Sequence, residues 1–359
     1  MQQEDISAEL FVRGFGTCAG TTFAGAILGA THSFSHAAHQ TRVSLPSAEF
    51  LEGSHDPSGA SAELVHFSSG YVGQNFERSF YEVGCIYVEV DVQERVRIHR
   101  SLLDVDAVQK SPELIADYPH LETLSVRYEE LASSAWAYWM RVARWAINEP
   151  LIGVPSWSSD GSRQLQMPRL TEKTTGFSIW KSMGIIRLSG SCNVDQQRWT
   201  HIEKVLRNEL TPPVWFDYMV EAEQRFYNLD FSGCVLSSAI ACETLARACY
   251  FYLIGTPIHP TAAEMVDRTA AQAIIGRWKK LTGIDVDGKV HRIFDTRNRL
   301  VHSGRADVID ETMARDTLTA AWTFVDSGDR WWFDQKGETN PRAEAADWIS
   351  AREAAKPKR

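Results

Sequence analysis

The sequence lacks several features that would assign its 359 residues to a large class of proteins. It has no uninterrupted apolar run of 18 or more residues, so we expect no transmembrane helix. The first ten residues, MQQEDISAEL, have neither the basic start nor the apolar core of a signal peptide. The six cysteines show no paired spacing, which favours a reducing compartment over a disulfide framework. We therefore expect a cytoplasmic protein with no membrane partner.

An excess of basic charge is also missing, because the formal net charge is -9. Broad, non-specific binding of nucleic acid needs clustered Lys and Arg, so this balance argues against it. The balance differs locally. From Lys289 to Arg305 there are five basic residues against the single acid Asp295. A small basic site on an acidic protein therefore remains open.

Hydrophobic periodicity predicts a chain in four parts. Residues 1–118 are mixed and strand-rich, and Cys85–His99 has the period of two that is typical of a strand or hairpin. Residues 119–195 hold a long helix and a connecting region. Residues 196–332 form a helical bundle, and 333–359 are a polar tail in which 343–354 can form a short helix. The predicted fold class is α+β, with a strand-rich N-terminal region followed by an all-α antiparallel bundle.

The bundle is predicted to contain six helices, each marked by a 3.6-residue apolar period and by terminal signals. They are Gln197–Leu210, Val214–Leu229, Phe231–Ile254, Thr261–Leu281, Val290–Gly304 and Val308–Val325.

The predicted helix Val290–Gly304 places an arginine within its apolar stripe. At about 100° per residue, Arg297 falls in the middle of a sector formed by Val290, Ile293, Phe294, Leu300 and Val301. His291, Asp295, Asn298 and His302 form a polar stripe beside that sector. Five residues separate Arg297 from His302, which puts them about 140° apart around one helix. A site that uses both side chains therefore needs Arg297 to reach around the helix or needs a second protomer.

The predicted helix Phe231–Ile254 has a similar feature, with Glu243 in the middle of a stripe of apolar side chains. The stripe consists of Leu236, Ala239, Ile240, Ala246 and Tyr250. A buried charge without a partner lowers the stability of a fold by roughly several kcal/mol. We therefore expect Glu243 and Arg297 to form an ion pair.

The run Arg297-Asn298-Arg299-Leu300-Val301-His302 resembles the Arg–four residues–His motif of the HEPN superfamily, and the earlier helix with Glu243 resembles that family's helix with an inward acid. The resemblance covers about Val214–Trp332. It implies an antiparallel helical bundle that dimerises so that two motifs face one cleft. It also implies metal-independent endoribonuclease activity, with RNA as substrate and no cofactor.

The roles that the resemblance implies fall on particular residues. His302 would act as general acid or base, Arg297 would hold the phosphate, and Asn298 would orient the ring or the substrate. Glu243, Asp295 and His291 would support the site. The layout of a sensing region before such a bundle resembles abortive-infection and toxin-type defence proteins, in which the N-terminal region would bind a trigger.

Other interpretations of the same residues stay open. Arg297 can serve a purely structural ion pair, and His302 can interact with the last carbonyls of its helix. The bundle can then be a non-catalytic module for dimerisation or for binding a nucleotide or RNA. A third class, a small-molecule enzyme, would need a pocket of convergent polar groups near Gly14 to His39.

Two weaker patterns lie in the N-terminal region. His32, His36 and His39, in a predicted loop or short helix, have a spacing that suits a metal on a helix, but no cysteine or acid is close in sequence. Gly14, Gly16 and Gly20 follow a predicted strand at Glu9–Arg13, with the third glycine one place late for a dinucleotide fingerprint. We therefore expect no metal site in this protein.

Overall fold

The computed structural model describes residues 5–8, 11–16, 18, 21–47, 68–69, 80–83, 86–99, 118–153, 169–171, 178–181, 192–255, 260–303 and 309–354. A predicted strand at 184–188 lies outside them. The chain divides into two compact units, one of residues 1–143 and 193–210, the other of residues 144–192 and 211–359. N-terminal antiparallel strands precede a mostly helical remainder, which confirms the predicted α+β class.

The strands are short and pair antiparallel wherever their register is defined. They are β1 Asp5–Ala8, β2 Phe11–Gly16, β3 Thr21–Ala24, β4 Thr31–His36, β5 His39–Ser44, β6 Ser68–Ser69, β7 Phe80–Glu82, β8 Ile86–Asp91, β9 Val96–His99, β10 Arg169–Thr171, β11 Ser178–Lys181 and β12 Cys192–Val194. The first unit contains two four-stranded sheets, ordered β2-β8-β5-β4 and β12-β3-β7-β6.

The alternating segment Cys85–His99 forms two strands that belong to different sheets. β8 pairs with β2 and β5, whereas β9 pairs with β1. The segment is therefore neither one long strand nor a hairpin around Glu94, because each half finds a partner elsewhere in the sequence.

Thr31–Ser44 forms a hairpin, although the sequence predicted a loop or short helix for residues 31–40. β4 and β5 pair from Thr31↔Ser44 to His36↔His39. The two turn residues, Ala37 and Ala38, have φ of 48° and 66°, which is the left-handed pair that a two-residue hairpin needs. Asn and Gly favour that geometry and Ala does not, so the sequence carries no turn signal there.

Two helices complete the core of the first unit. They are α1 Pro119–Ala146 and α2 Gln196–Arg207. Trp139 on α1 and Trp199 on α2 are both buried, and Phe23 of β3 meets the Trp199 ring edge-on. The predicted boundaries place 196–207 with the helical bundle, whereas in the structure this helix packs on the strands.

The helices of the second unit follow the predicted order. They are α3 Val214–Tyr227, α4 Phe231–Ile254, α5 Pro260–Arg268, α6 Ala271–Ile275, α7 Trp278–Thr282, α8 Gly288–Ser303, α9 Glu311–Lys336 and α10 Pro341–Ala354. Three short helices replace the single predicted helix Thr261–Leu281. The first break lies at Ala270, whose extended backbone (ψ 135°) ends one helical path before α6 begins.

The central helix of the second unit is α4, which packs against α3, α8 and α9 through one shared core. By length and composition, α4 is the one helix among the described residues that could cross a membrane, contrary to our expectation from apolar runs. More than half of its most apolar window is buried inside the protein. We interpret it as a core helix, because core helices pass the same test.

A glycine pair on β2 gives a test of the packing in the first unit. A Cβ on Gly16 would overlap the Trp136 ring, whereas a Cβ on Gly14 would lie 3.8 Å from its nearest neighbour. We expect Gly16→Ala to lower the free energy of unfolding by about 1–3 kcal/mol, because the added methyl overpacks this contact. Gly14→Ala is the matched control and should be close to neutral. Chemical denaturation of both variants measures the difference, and equal stabilities would contradict the packing.

Candidate active site

Helix α8 is fixed by a narrow buried face. Val290, Ile293 and Phe294 are each at most 3% exposed and belong to the core shared with α4 and α9. Leu300 and Val301 continue the apolar stripe in sequence, but Val301 is 55% exposed. The last turn of α8 therefore extends beyond the core. The buried face determines which polar side chains of the helix meet solvent.

Arg297 lies on the same side of α8 as this buried face, closer to the C-terminus of the helix, and is half-buried. Its Nη1 donates to Oδ1 of Asn298 at 3.1 Å. The partner of Asn298 is thus Arg297, its neighbour in sequence, and not the imidazole of His302. This hydrogen bond joins the two side chains near the C-terminal end of α8, beyond the buried residues of the helix.

The polar stripe predicted beside Arg297 is in place. His302 and Asp295 are exposed, and His291 is half-buried. Oδ1 of Asp295 accepts a hydrogen bond from Nε2 of Gln272 at 2.8 Å. His302 makes no hydrogen bond or ion pair with any other residue that the structure describes. Its ring is therefore accessible to a ligand, which acid–base chemistry requires.

The predicted ion pair between Glu243 and Arg297 is wrong. Oε1 of Glu243 accepts from Nη2 and Nε of Arg247 at 2.7 and 3.0 Å, one turn along the same helix. Arg247 is itself anchored, since its Nη1 and Nη2 donate to the carbonyls of Val266 and Thr269. A partner four residues away satisfies the carboxylate at a smaller entropic cost than a cross-helix contact. The sequence analysis did not identify Arg247 as the partner of Glu243.

The composition of α4 explains why the sequence predicted the wrong partner for Glu243. The buried seam of this helix consists of small and mid-sized side chains such as Ser238, Ala241, Cys242 and Leu245, all at most 1% exposed. Glu243 lies two positions before Leu245, about 160° away around the helix. Because α4 is apolar on nearly all sides, periodicity does not identify the buried face. The predicted stripe around Glu243 was therefore rotated away from the true seam.

The histidines of β4 and β5 have structural partners. Trp139 Nε1 donates to Nδ1 of His32 at 2.9 Å, and Nε2 of His32 lies 3.0 Å from the Trp199 carbonyl. Burial lowers the pKa of His32 to about 3, so its ring stays neutral and both nitrogens are occupied. His36 hydrogen-bonds Ser134. Among the described residues, no group of three or more His, Cys, Asp or Glu is placed to hold a metal ion.

A buried polar network around Arg342 was not predicted. Arg342, 5% exposed, forms an ion pair with Asp326 and donates from Nε to Oδ1 of Asn148 at 2.7 Å. Its guanidinium carbon lies 4.8 Å from the centre of the Trp322 ring, a cation–π distance. Burial lowers the pKa of Arg342 to about 10, so it stays charged near neutral pH. These contacts attach α10 to the rest of the second unit, although the sequence placed its residues in a polar tail.

The first turn of α10 is bound to a buried acid, Asp329. Asn340 accepts from the backbone N–H groups of Arg342 and Ala343, as an N-cap does. Its Nδ2 donates to Oδ2 of Asp329 at 2.9 Å, and Trp215 Nε1 donates to Oδ1. The sequence signal was Asn340 followed by a proline, a common helix start. Burial raises the pKa of Asp329 to about 6.

Comparisons with known proteins leave the resemblance to the HEPN superfamily without independent support. No family model, no curated protein and no solved structure matches this chain.

Glu223 gives a pH-dependent test of the second unit. It is half-buried and accepts from Trp322 Nε1, and desolvation of the carboxyl raises its pKa from 4.5 to about 7. The folded protein thus prefers the protonated acid. Its contribution to stability is fully present below about pH 4.5 and is lost as the pH rises through about 7. Glu223→Gln keeps a hydrogen-bond acceptor without the charge.

We expect the free energy of unfolding of Glu223→Gln, minus that of the wild type, to increase between pH 4.5 and pH 7. Glu221→Gln, on the same helix and paired with Arg225, is the control and should not show this increase. Denaturant titrations at a series of pH values measure both differences. A constant difference for Glu223→Gln would show that the carboxyl is not desolvated as described.

Proposed function

We propose that this protein is a metal-independent endoribonuclease of HEPN type, acting as a cytoplasmic homodimer in a defence or toxin-like system. The observation that carries the proposal is the exposure of His302 at the end of α8. The core fixes that helix in a bundle, while the ring itself remains open to solvent. The six-residue motif Arg297 to His302 and the surrounding helix order support the assignment to this chemistry.

The proposed reaction is an attack of the ribose 2′-hydroxyl on the adjacent phosphorus. His302 takes the proton of that hydroxyl or gives one to the leaving 5′-oxygen, a task that suits an imidazole. The products are a 2′,3′-cyclic phosphate and a free 5′-hydroxyl, so atoms balance without a metal or cofactor. A guanidinium must neutralise the charge on the phosphate, and the family resemblance assigns that role to Arg297.

The end of α8 also supports the proposed homodimer. Val301, beside His302 in the chain, is 55% exposed although its position continues the apolar stripe of the helix. Ile240 on α4 and Met265 on α5 are exposed as well. Exposed apolar side chains on several helices of one bundle suit a partner surface. A second copy of the chain would bring a second His302 to the same interface.

A non-catalytic module for dimerisation or for binding a nucleotide or RNA is the alternative. What favours it is the way the polar residues satisfy each other. Glu243 pairs with Arg247, and Arg297 donates to Asn298. In this alternative α8 is a structural helix with a solvent-exposed polar face. The N-terminal unit would bind the trigger in either case.

Replacing His302 separates the two functions. We expect His302→Ala to abolish cleavage of single-stranded RNA in EDTA and to leave the thermal unfolding midpoint unchanged, because the side chain is exposed. His120→Ala, an exposed histidine on α1, is the matched control and should retain activity. Fluorescence of a quenched oligonucleotide measures the rate. Equal rates for His302→Ala and the wild type, or no wild-type cleavage, would favour the non-catalytic module.

A charge at Val301 tests the dimer. We expect Val301→Asp to give a monomer with unchanged helix content, since an aspartate on an apolar interface must be desolvated. Val214→Asp, on a residue of α3 that is 49% exposed, is the control and should leave the assembly intact. Light scattering coupled to size exclusion gives the mass. A wild-type monomer, or a dimer that persists in Val301→Asp, would contradict an interface at this turn.

A further inference from the structure

The polar stripe of α8 has a symmetric order of side chains. His291, Asp295, Asn298 and His302 follow one another at spacings of four, three and four residues, with a histidine at each end. At about 100° per residue, all four fall within about 60° around the helix. Reversing the direction of the helix about the middle of this stripe therefore places each histidine where the other was.

The central pair of the stripe has unused hydrogen-bonding groups. Oδ1 of Asp295 accepts from Gln272, but the second carboxylate oxygen has no donor among the residues that the structure describes. Oδ1 of Asn298 accepts from Arg297, and the NH2 group of Asn298 has no acceptor within the same described residues. One group is an acceptor and the other is a donor, so a second α8 that runs antiparallel to the first would satisfy both of them twice.

The proposed reaction needs two proton-transfer groups, and a single α8 brings only one histidine to a given phosphate. The attacking 2′-oxygen and the leaving 5′-oxygen lie on opposite sides of the phosphorus, so two groups are needed to serve both oxygens in one step. His291 and His302 of one helix are about 16 Å apart along its axis. Two hydrogen bonds of about 2.8 Å to one phosphate group do not bridge that distance.

An antiparallel α8 from a second copy of the chain removes this obstacle. When the two stripes cross at their middles, Asp295 faces the partner's Asn298 and His302 faces the partner's His291. Helices pack at interaxial distances of about 8–10 Å, and a crossing angle of about 20° displaces each histidine pair sideways by only about 3 Å. His302 is exposed and His291 is half-buried. Neither imidazole is engaged by another residue that the structure describes, so both are available to one phosphate.

We propose that α8 pairs antiparallel with α8 of a second copy, so that His302 and the partner's His291 form one acid–base pair and the interface holds two such sites. This inference rests on the proposed function and names its second catalytic residue. His302 takes the proton of the 2′-hydroxyl, and the partner's His291 gives a proton to the 5′-oxygen as the bond from that oxygen to phosphorus breaks. Proton exchange with water then returns both imidazoles to their starting states, so no other reactant is needed.

A heterodimer of two single variants tests whether the histidines of one site come from different copies. We expect the His302→Ala and His291→Ala homodimers each to lower kcat for a single-stranded RNA by about 100- to 10,000-fold. A full-length heterodimer with one copy of each variant, purified through two affinity tags, should recover about half of the wild-type kcat, because one of its two sites is intact. Histidines that act within one copy would leave this heterodimer inactive, which would overturn the inference.

The matched control combines a wild-type copy with a copy that carries both substitutions. Each site of this heterodimer then lacks one histidine, so its kcat should be as low as that of the single variants. A kcat of about half the wild-type value would contradict the pairing, because an intact site would then lie within the wild-type copy.

The leaving group of the substrate separates the roles of the two histidines. Uridine 3′-(4-nitrophenyl phosphate) releases a phenolate that is stable as an anion, so its departure needs no proton donor. On this substrate His291→Ala should stay within about tenfold of the wild-type kcat, whereas His302→Ala should remain at least about 100-fold slower. Equal losses for the two variants on this substrate would contradict the assigned roles.

Cross-linking distinguishes a failure of this inference from a failure of the proposed function. A heterodimer of Asp295→Cys and Asn298→Cys should form an intermolecular disulfide on mild oxidation, because facing residues of two packed helices come within the Cα separation of about 4.4–6.8 Å that a disulfide spans. Arg330→Cys, at an exposed position on α9, replaces Asp295→Cys in the control and should not cross-link.

The combined outcomes of cross-linking and RNA cleavage are distinct. Cross-linking of the Asp295→Cys and Asn298→Cys pair without cleavage by the wild type would refute the nuclease and support the antiparallel interface alone. Cleavage by the wild type without cross-linking of that pair would overturn the inference and keep the nuclease. A wild type that does not cleave and a pair that does not cross-link would overturn both.

Discussion

The function proposed for this protein depends on the burial of one face of α8 against the core of the second unit. Val290, Ile293 and Phe294 leave the helix no freedom to rotate, because each is almost fully buried. Full burial of such side chains contributes about 1.5–3 kcal/mol each, so turning the helix to expose them would cost a large part of a typical folding free energy. With the rotation fixed, His302 faces solvent and Arg297 is half-buried.

The sequence predicted this helix well because α8 is amphipathic. Its apolar positions recur with a clear period, and three of the five residues in the predicted apolar sector, Val290, Ile293 and Phe294, are buried. The prediction was less accurate at the last turn, where Val301 has the right angle but is 55% exposed. Periodicity gives the direction of a side chain and not the extent of the core in front of it.

Other parts could not be derived in this way. Helix α4 is apolar on nearly all sides, so the seam through Cys242 and Leu245 could not be distinguished from the stripe around Glu243. The β4–β5 turn uses Ala37 and Ala38 at positive φ, without the residues that usually mark such turns. Arg342 occurs in a polar stretch, and only its tertiary partners reveal that it is buried. These features depend on contacts between residues far apart in sequence.

The central claim is that the exposed end of α8 supports cleavage of RNA by acid–base catalysis without a metal ion. The chemical identity of the product ends tests it most directly, because 2′-hydroxyl attack leaves a distinctive group. The measurement is mass spectrometry of a defined single-stranded RNA after incubation with the full chain in EDTA. The account predicts fragments that carry a 2′,3′-cyclic phosphate on one side and a 5′-hydroxyl on the other. Fragments with 3′-hydroxyl and 5′-phosphate ends, or intact RNA, would contradict it.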